Sequence, residues 1–137
     1  MPSPRPRRVL AFALPLAGIL VTAAVLTEHL KEEQDRRTRA ETITGGNVER
    51  GRRLFGAYGC AGCHSLTGVP GARGLVGPPL DGLGSRVMLG GRLENKPENL
   101  MRWIGEPQSV SPGTAMPDLG VTPQDRRDIA AFLYDRS

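Results

Sequence analysis

The sequence predicts an all-α fold: one N-terminal helix, then a small domain of three main helices joined by long loops. Three observations carry this. An uncharged apolar run lies close to the N-terminus. Three later segments repeat apolar residues at helical spacing behind helix-starting residues, and no run alternates as a pair of strands would. The stretches between them are rich in Gly and Pro, with only 4% aromatic residues overall. Loops of that length are unusual in a compact domain unless something organises them.

Residues 1–8 carry Arg5, Arg7 and Arg8 and no acid, as a basic cytoplasmic tip would. Residues 9–27 then run without a charge. At 1.5 Å per residue such a helix is roughly 28 Å long, about the thickness of a hydrocarbon core. Pro15 and Gly18 weaken a soluble helix but are tolerated in a membrane. The flanking arginines predict a transmembrane anchor with its N-terminus inside. A cleaved signal peptide is the competing reading, with Thr22 and Ala24 at a cleavage spacing. The apolar run continues to Thr27, beyond the usual signal length, which favours the uncleaved anchor. Both readings export the C-terminal domain.

Residues 28–46 form a charged tether. Glu32 with Arg36 and Glu33 with Arg37 are spaced i,i+4, so the anchor helix is expected to continue into water and break at Gly45-Gly46. A solvated face is the ordinary reading of such a charge run.

Residues 47–137 are the globular domain. A domain this small has a marginal core, and a large apolar cofactor would supply surface for short helices to pack on. The first helix is expected over about residues 47–60, capped by Asn47, with Val48, Gly51, Leu54, Phe55 and Tyr58 on one stripe. The second starts at Pro97 and ends before Pro107, with Leu100, Trp103 and Ile104 on its apolar face. The third starts at Thr122-Pro123, with Asp125 completing a capping pattern and Ile129, Phe132 and Leu133 inward. Loops fill residues 68–84 and 108–120.

Both cysteines of the chain fall in Cys60-Ala61-Gly62-Cys63-His64. C-x-x-C-H is the attachment signature of a c-type haem. Two thiols one helical turn apart can each add to one vinyl group of a porphyrin, and the adjacent imidazole can ligate its iron. A zinc site would need four ligands, and only His29 could join these three. A redox dithiol would sit in a βαβ pattern, which is absent. The second axial ligand is then His29, a methionine, or nothing. His29 abuts the anchor, Met1 is terminal, and Met88 and Met101 read as core or surface. Met116 stands in the Pro-flanked run Pro112-Gly113-Thr114-Ala115-Met116-Pro117, which can return over the opposite haem face. A thioether favours ferrous iron, so a His64/Met116 pair would raise the potential.

The haem motif, with Gly77-Pro78-Pro79-Leu80, Gly84-Ser85-Arg86, Pro97-Glu98-Asn99-Leu100, Trp103-Ile104, the Met116-Pro117 loop and Ala131-Phe132-Leu133, resembles the small mono-haem cytochromes c. It is most similar to the cytochrome c domain fused to subunit II of some haem-copper oxidases. The resemblance covers nearly all of residues 47–137. It implies one covalent haem c on Cys60 and Cys63, with iron held by His64 and Met116. It implies that the Pro78 carbonyl accepts a hydrogen bond from His64, and that Arg86 and Trp103 lie near the haem propionates. It implies that Gly51 and Phe55 let the first helix cross closely against Phe132. It also implies haem attachment outside the cytoplasm. The oxidase subunit carries a copper-binding domain before its cytochrome domain. Here a tether and an apolar run stand in that place, so a stand-alone anchored carrier or a small subunit of a complex is expected.

The net charge of +4 divides as +3 in residues 1–8, −1 in 28–46 and +2 in 47–137. The basic balance thus comes mainly from the tip, and nucleic-acid binding is not indicated. A neutral, Gly-rich rim at Cys60-Ala61-Gly62 suits brief redox encounters. The expected function is single-electron transfer without a small-molecule substrate. The expected partners are membrane redox complexes, and the expected place is the periplasmic side of the inner membrane. An obligate subunit of an oxidase or dehydrogenase is the second reading. A haem enzyme or gas sensor with an open sixth position is the third.

Overall fold

A computed structural model describes residues 7–136, with side chains from Ala17 onward. Contacts divide the chain into Met1–Asp35 and Arg36–Ser137. The first helix, α1 (Arg7–Thr44), runs through the division.

In the first unit, the side chains of residues 17–35 are all exposed. Lys31 pairs with Glu28 at 3.2 Å, and His29 lies 3.8 Å from Glu32. Among the described residues no helix is long and apolar enough to cross a membrane. The expected anchor covers residues 9–27, and the side chains of residues 9–16 lie outside those described. The described remainder runs straight into Glu28, Lys31, Glu32 and Glu33, which is why it does not qualify by itself.

The second unit begins before the expected domain start. Ala40 and Thr44 are buried at the end of α1. Arg36 donates to the Asp135 carbonyl at 2.8 Å, and Arg37 pairs with Glu41 and Glu49. These arginines therefore bond within this unit rather than with Glu32 and Glu33. Gly45, at φ 66°, ends the helix in a left-handed conformation that a side chain resists. The Glu41 carboxylate then accepts from the Val48 N–H at 2.9 Å, and Asn47 accepts from the Arg50 N–H. Both satisfy free amides at the start of α2 (Val48–Ala57).

Helix α2 stops at Ala57, short of the expected residue 60. Tyr58 and Gly59 turn the chain, Gly59 at φ 74°, and a one-turn helix α3 (Cys60–Cys63) comes next. After the loop come a 3-10 turn at Leu83–Ser85 and a two-residue hairpin, β1 (Met88–Leu89) with β2 (Leu93–Glu94). The sequence predicts no strand pair, because strands this short have no alternation to detect. Then come α4 (Pro97–Gly105), α5 (Pro107–Val110) and α6 (Pro123–Asp135). Thr122 caps α6 by accepting from the Asp125 N–H.

The core is the crossing of α2 on α6. A Cβ on Gly51 would lie 1.9 Å from the Asp128 carbonyl oxygen and 2.8 Å from Phe132, so only glycine permits this approach. Phe55 and Phe132 meet there with ring centres 5.7 Å apart and tilted 59°. Beside them Asp128 is 1% exposed, yet it accepts from the Asn47 amide, both sides of Arg50 and Gln124. Burial alone would raise this carboxyl, but those donors outweigh it and hold it below the usual range.

Candidate functional site

Helix α3 places Cys60 and Cys63 at i and i+3, on one face of a single turn. Both are free thiols. Burial pushes the Cys60 thiol above its ordinary value. The chain leaves the helix at His64, whose N–H closes the turn on the Cys60 carbonyl at 2.9 Å. The imidazole Nδ1 lies 2.8 Å from the Pro78 carbonyl oxygen. A carbonyl only accepts, so Nδ1 carries the proton and Nε2 keeps a lone pair for a metal.

The loop that brings Pro78 there is stitched to the motif by backbone bonds. Gly74 N–H donates to Ala61, Gly77 N–H to Cys63, and Leu80 N–H to Ser65. Gly77 is wedged against the ring: a Cβ there would sit 2.3 Å from His64 Cε1 and 2.5 Å from Nδ1. On Gly74 it would sit 2.3 Å from the Cys63 carbonyl carbon. The imidazole thus lies in a slot that any larger residue would close.

Cys60, Cys63, His64, Pro78, Arg86, Trp103 and Met116 all line one cavity, of about 250 Å³. Its other walls are mainly apolar: Phe55, Leu80, Leu83, Leu89, Leu100, Ile104, Ile129 and Leu133. These come from α2, α4, α6, the hairpin and the loops. Trp103 packs beside Gly90, where a Cβ would lie 2.6 Å from its ring. Arg86 donates to the Pro79 carbonyl at 2.6 Å and the Asp81 carbonyl at 3.1 Å, bracing the segment next to Pro78. Met116 enters from the loop between α5 and α6, half-buried.

The other candidate ligands are elsewhere. His29 is 70% exposed beside Glu32 in the first unit. Met88 is on the hairpin and Met101 packs against the core, and neither lines the cavity. Met1 lies outside the described residues. Among the described residues no cluster of three or more His, Cys, Asp or Glu could hold a bare metal ion.

Sequence reasoning overlooked two parts of this site. Tyr134 donates to Asn95 at 2.8 Å, and Asn95 in turn donates to the Leu83 and Arg86 carbonyls, fixing the wall that carries Arg86. Gln108 bonds to the Met116 loop. Each is a polar residue whose partners lie in a loop, and no spacing signals that.

The residues present fit a covalent haem. Two thiols share one helix face, an imidazole has its metal-binding nitrogen free, a thioether shares the cavity, and the walls suit an apolar macrocycle.

Comparison with known proteins points to one family. The family model for cytochrome c matches residues 48–136. Cytochrome c oxidase subunit 2 of Alkalihalophilus pseudofirmus is 36% identical over 87 residues, which are 63% of this chain and 25% of that protein. Cytochrome c oxidase subunit 2 of Bacillus sp. strain PS3 is 34% identical over 76 residues, 54% of this chain and 21% of that one. The chain therefore spans a quarter or less of the length of these curated relatives. No solved structure matches it. With the matched region holding the whole cavity, both thiols, His64 and Met116, the chain belongs to the cytochrome c family, whose members carry haem iron and transfer electrons.

Proposed function

We propose that this chain is a membrane-anchored c-type cytochrome that passes single electrons through one covalent, His64/Met116-ligated haem. The observation that carries the reading is that Met116, distant in sequence, lines the same apolar cavity as the adjacent Cys60, Cys63 and His64. A haem c held there supplies a one-electron ferric/ferrous couple. Cys60 and Cys63 fix it by thioether bonds. His64 gives Nε2 to the metal, while the Pro78 carbonyl holds its tautomer and raises its basicity. Met116 gives a soft sulfur donor that stabilises the ferrous state. Arg86 and Trp103 serve the propionate side. The leucine and isoleucine walls keep water from the metal and tune its potential. With His64 and Met116 both holding the metal, it would have no place for a small-molecule substrate.

Residues 9–27 serve as a single-pass anchor behind the arginine tip, and the haem domain, residues 47–137, lies on the periplasmic side of the inner membrane. Donor and acceptor are membrane redox complexes. The relatives named as oxidase subunits support a terminal oxidase or related respiratory complex as the acceptor. They also support the second reading, an obligate haem subunit of such a complex. Gentle detergent extraction separates the two: a small haem species favours the carrier, and constant co-purification with a large complex favours the subunit.

Met116→Ala tests the site. The ferric protein should show a sulfur-to-iron absorption band that the variant lacks, and the ferrous variant should bind carbon monoxide rapidly. A band that survives the substitution, or equally fast carbon monoxide binding by the unaltered protein, overturns the assignment.

A further inference from the structure

The loop that carries Met116 has no regular structure between Ser111 and Val121. A methionine on a free loop would leave its metal often, because backbone entropy opposes any fixed placement. Here one side chain restrains that loop at three points. Gln108 Nε2 donates to the Thr114 carbonyl and to the Met116 carbonyl, each at 2.9 Å. Its Oε1 accepts from the Gly113 N–H at 3.1 Å. The amide group is thus used on both its donor and its acceptor side.

Gln108 is itself well placed. It is the second residue of α5, behind the buried Pro107, whose ring fixes the backbone at the helix start. Arg126 of α6 grips the chain on both sides of the loop. Its Nη1 donates to Glu106 at 3.0 Å, and its Nε donates to the Val121 carbonyl at 2.9 Å. The guanidinium occupies the space that a side chain on Gly105 would need: a Cβ there would lie 1.9 Å from it. The last helix therefore holds the ends of the loop through Arg126, and Gln108 spans its middle.

We infer that Gln108 is the positioning residue for Met116, clamping the loop so that the thioether stays on the metal. This rests on Met116 being the axial ligand. The clamp acts on the backbone of residues 113, 114 and 116, and Gln108 does not line the cavity. Its loss should leave the haem attached and change only how often the sulfur is off the metal. One net hydrogen bond of about 1.4 kcal/mol corresponds to a tenfold change in an equilibrium.

The test uses the full-length haem-loaded chain with Gln108→Ala and Gln108→Glu. A carboxylate at this position can still accept from Gly113 but cannot donate to the two carbonyls. Both variants should retain covalent haem, lose part of the ferric sulfur-to-iron band at neutral pH, and bind carbon monoxide in the ferrous state about tenfold faster than the parent. Band intensity and binding rate equal to the parent in both variants would overturn the clamp. If neither variant keeps its haem, amide exchange in the parent decides: Gly113 N–H should be protected at least about tenfold, and free exchange there refutes the inference. Met116→Ala separates the layers. Parent and Met116→Ala binding carbon monoxide alike means that the axial reading has failed. A difference between them, with both Gln108 variants like the parent, means that only the clamp has.

Discussion

Gly77→Ala adds one methyl group at a point where the site has no room. The new Cβ would lie 2.3 Å from His64 Cε1, 2.5 Å from Nδ1 and 2.9 Å from Nε2. Ordinary carbon contacts are about 3.5–4.0 Å, so ring or backbone must give by about 1.2 Å or more. Gly77 has no positive φ, so the effect is contact alone and not backbone strain. A ring displaced that far loses the 2.8 Å bond from Nδ1 to the Pro78 carbonyl. Overpacking costs about 1–3 kcal/mol and the lost hydrogen bond about 1 kcal/mol. The sum, about 2–4 kcal/mol, lowers the melting temperature of a domain this size by about 10–20 °C. Thermal unfolding followed by circular dichroism reads the stability, and proton NMR of the His64 ring reads its position. A melting temperature within about 2 °C of the parent, with the ring resonances unmoved, would mean that His64 is not held in this slot.

Two perturbed side chains near the core give further expected outcomes. Asp128→Asn removes the charge that Arg50 and the Asn47 amide neutralise. Arg50 is 52% exposed and can rehydrate, so the loss should be about 1–3 kcal/mol in urea unfolding, below that of a fully buried pair. Because the Asp128 carboxyl is held below its unfolded value, its contribution is complete above about pH 4 and is lost as pH falls through the folded value. The acid limb of a stability–pH curve should flatten in Asp128→Asn, and an unchanged limb would contradict this. Burial, with Glu98 nearby, pushes the Tyr134 phenol up to about 12. Its contribution is therefore complete below about pH 10 and is lost as pH rises towards 12, a fall of about 1–2 kcal/mol after allowing for partial exposure. Tyr134→Phe should remove that alkaline slope, read by ultraviolet titration and urea unfolding, and a slope that persists would refute it.

Much of the site was legible because its chemistry is local. Two thiols and an imidazole within five residues need no tertiary structure to be recognised, and a one-turn helix presents them together. The place of Met116 on the cavity was legible from its proline-flanked run. The starts of α4 and α6 were legible from Pro97 and from Thr122-Pro123, because helix termini are specified by neighbouring residues. The end of α1 was not: Arg36, Arg37 and Glu41 read as a solvated charge run, yet they bond to Asp135, Glu49 and Val48. Charge patterning reports polarity and is blind to a partner far along the chain. The two-residue hairpin escaped for want of length.

By itself the sequence determined the family and the starts of the domain's helices, since each depends on residue types a few positions apart. Only the folded chain decided that His64 shows Nε2, that Gly77 leaves room for its ring, and that Gln108 and Arg126 hold the methionine loop. Those facts depend on distances between segments that covalent connectivity leaves open. The packing of α2 on α6 and the backbone bonds of the loops close them.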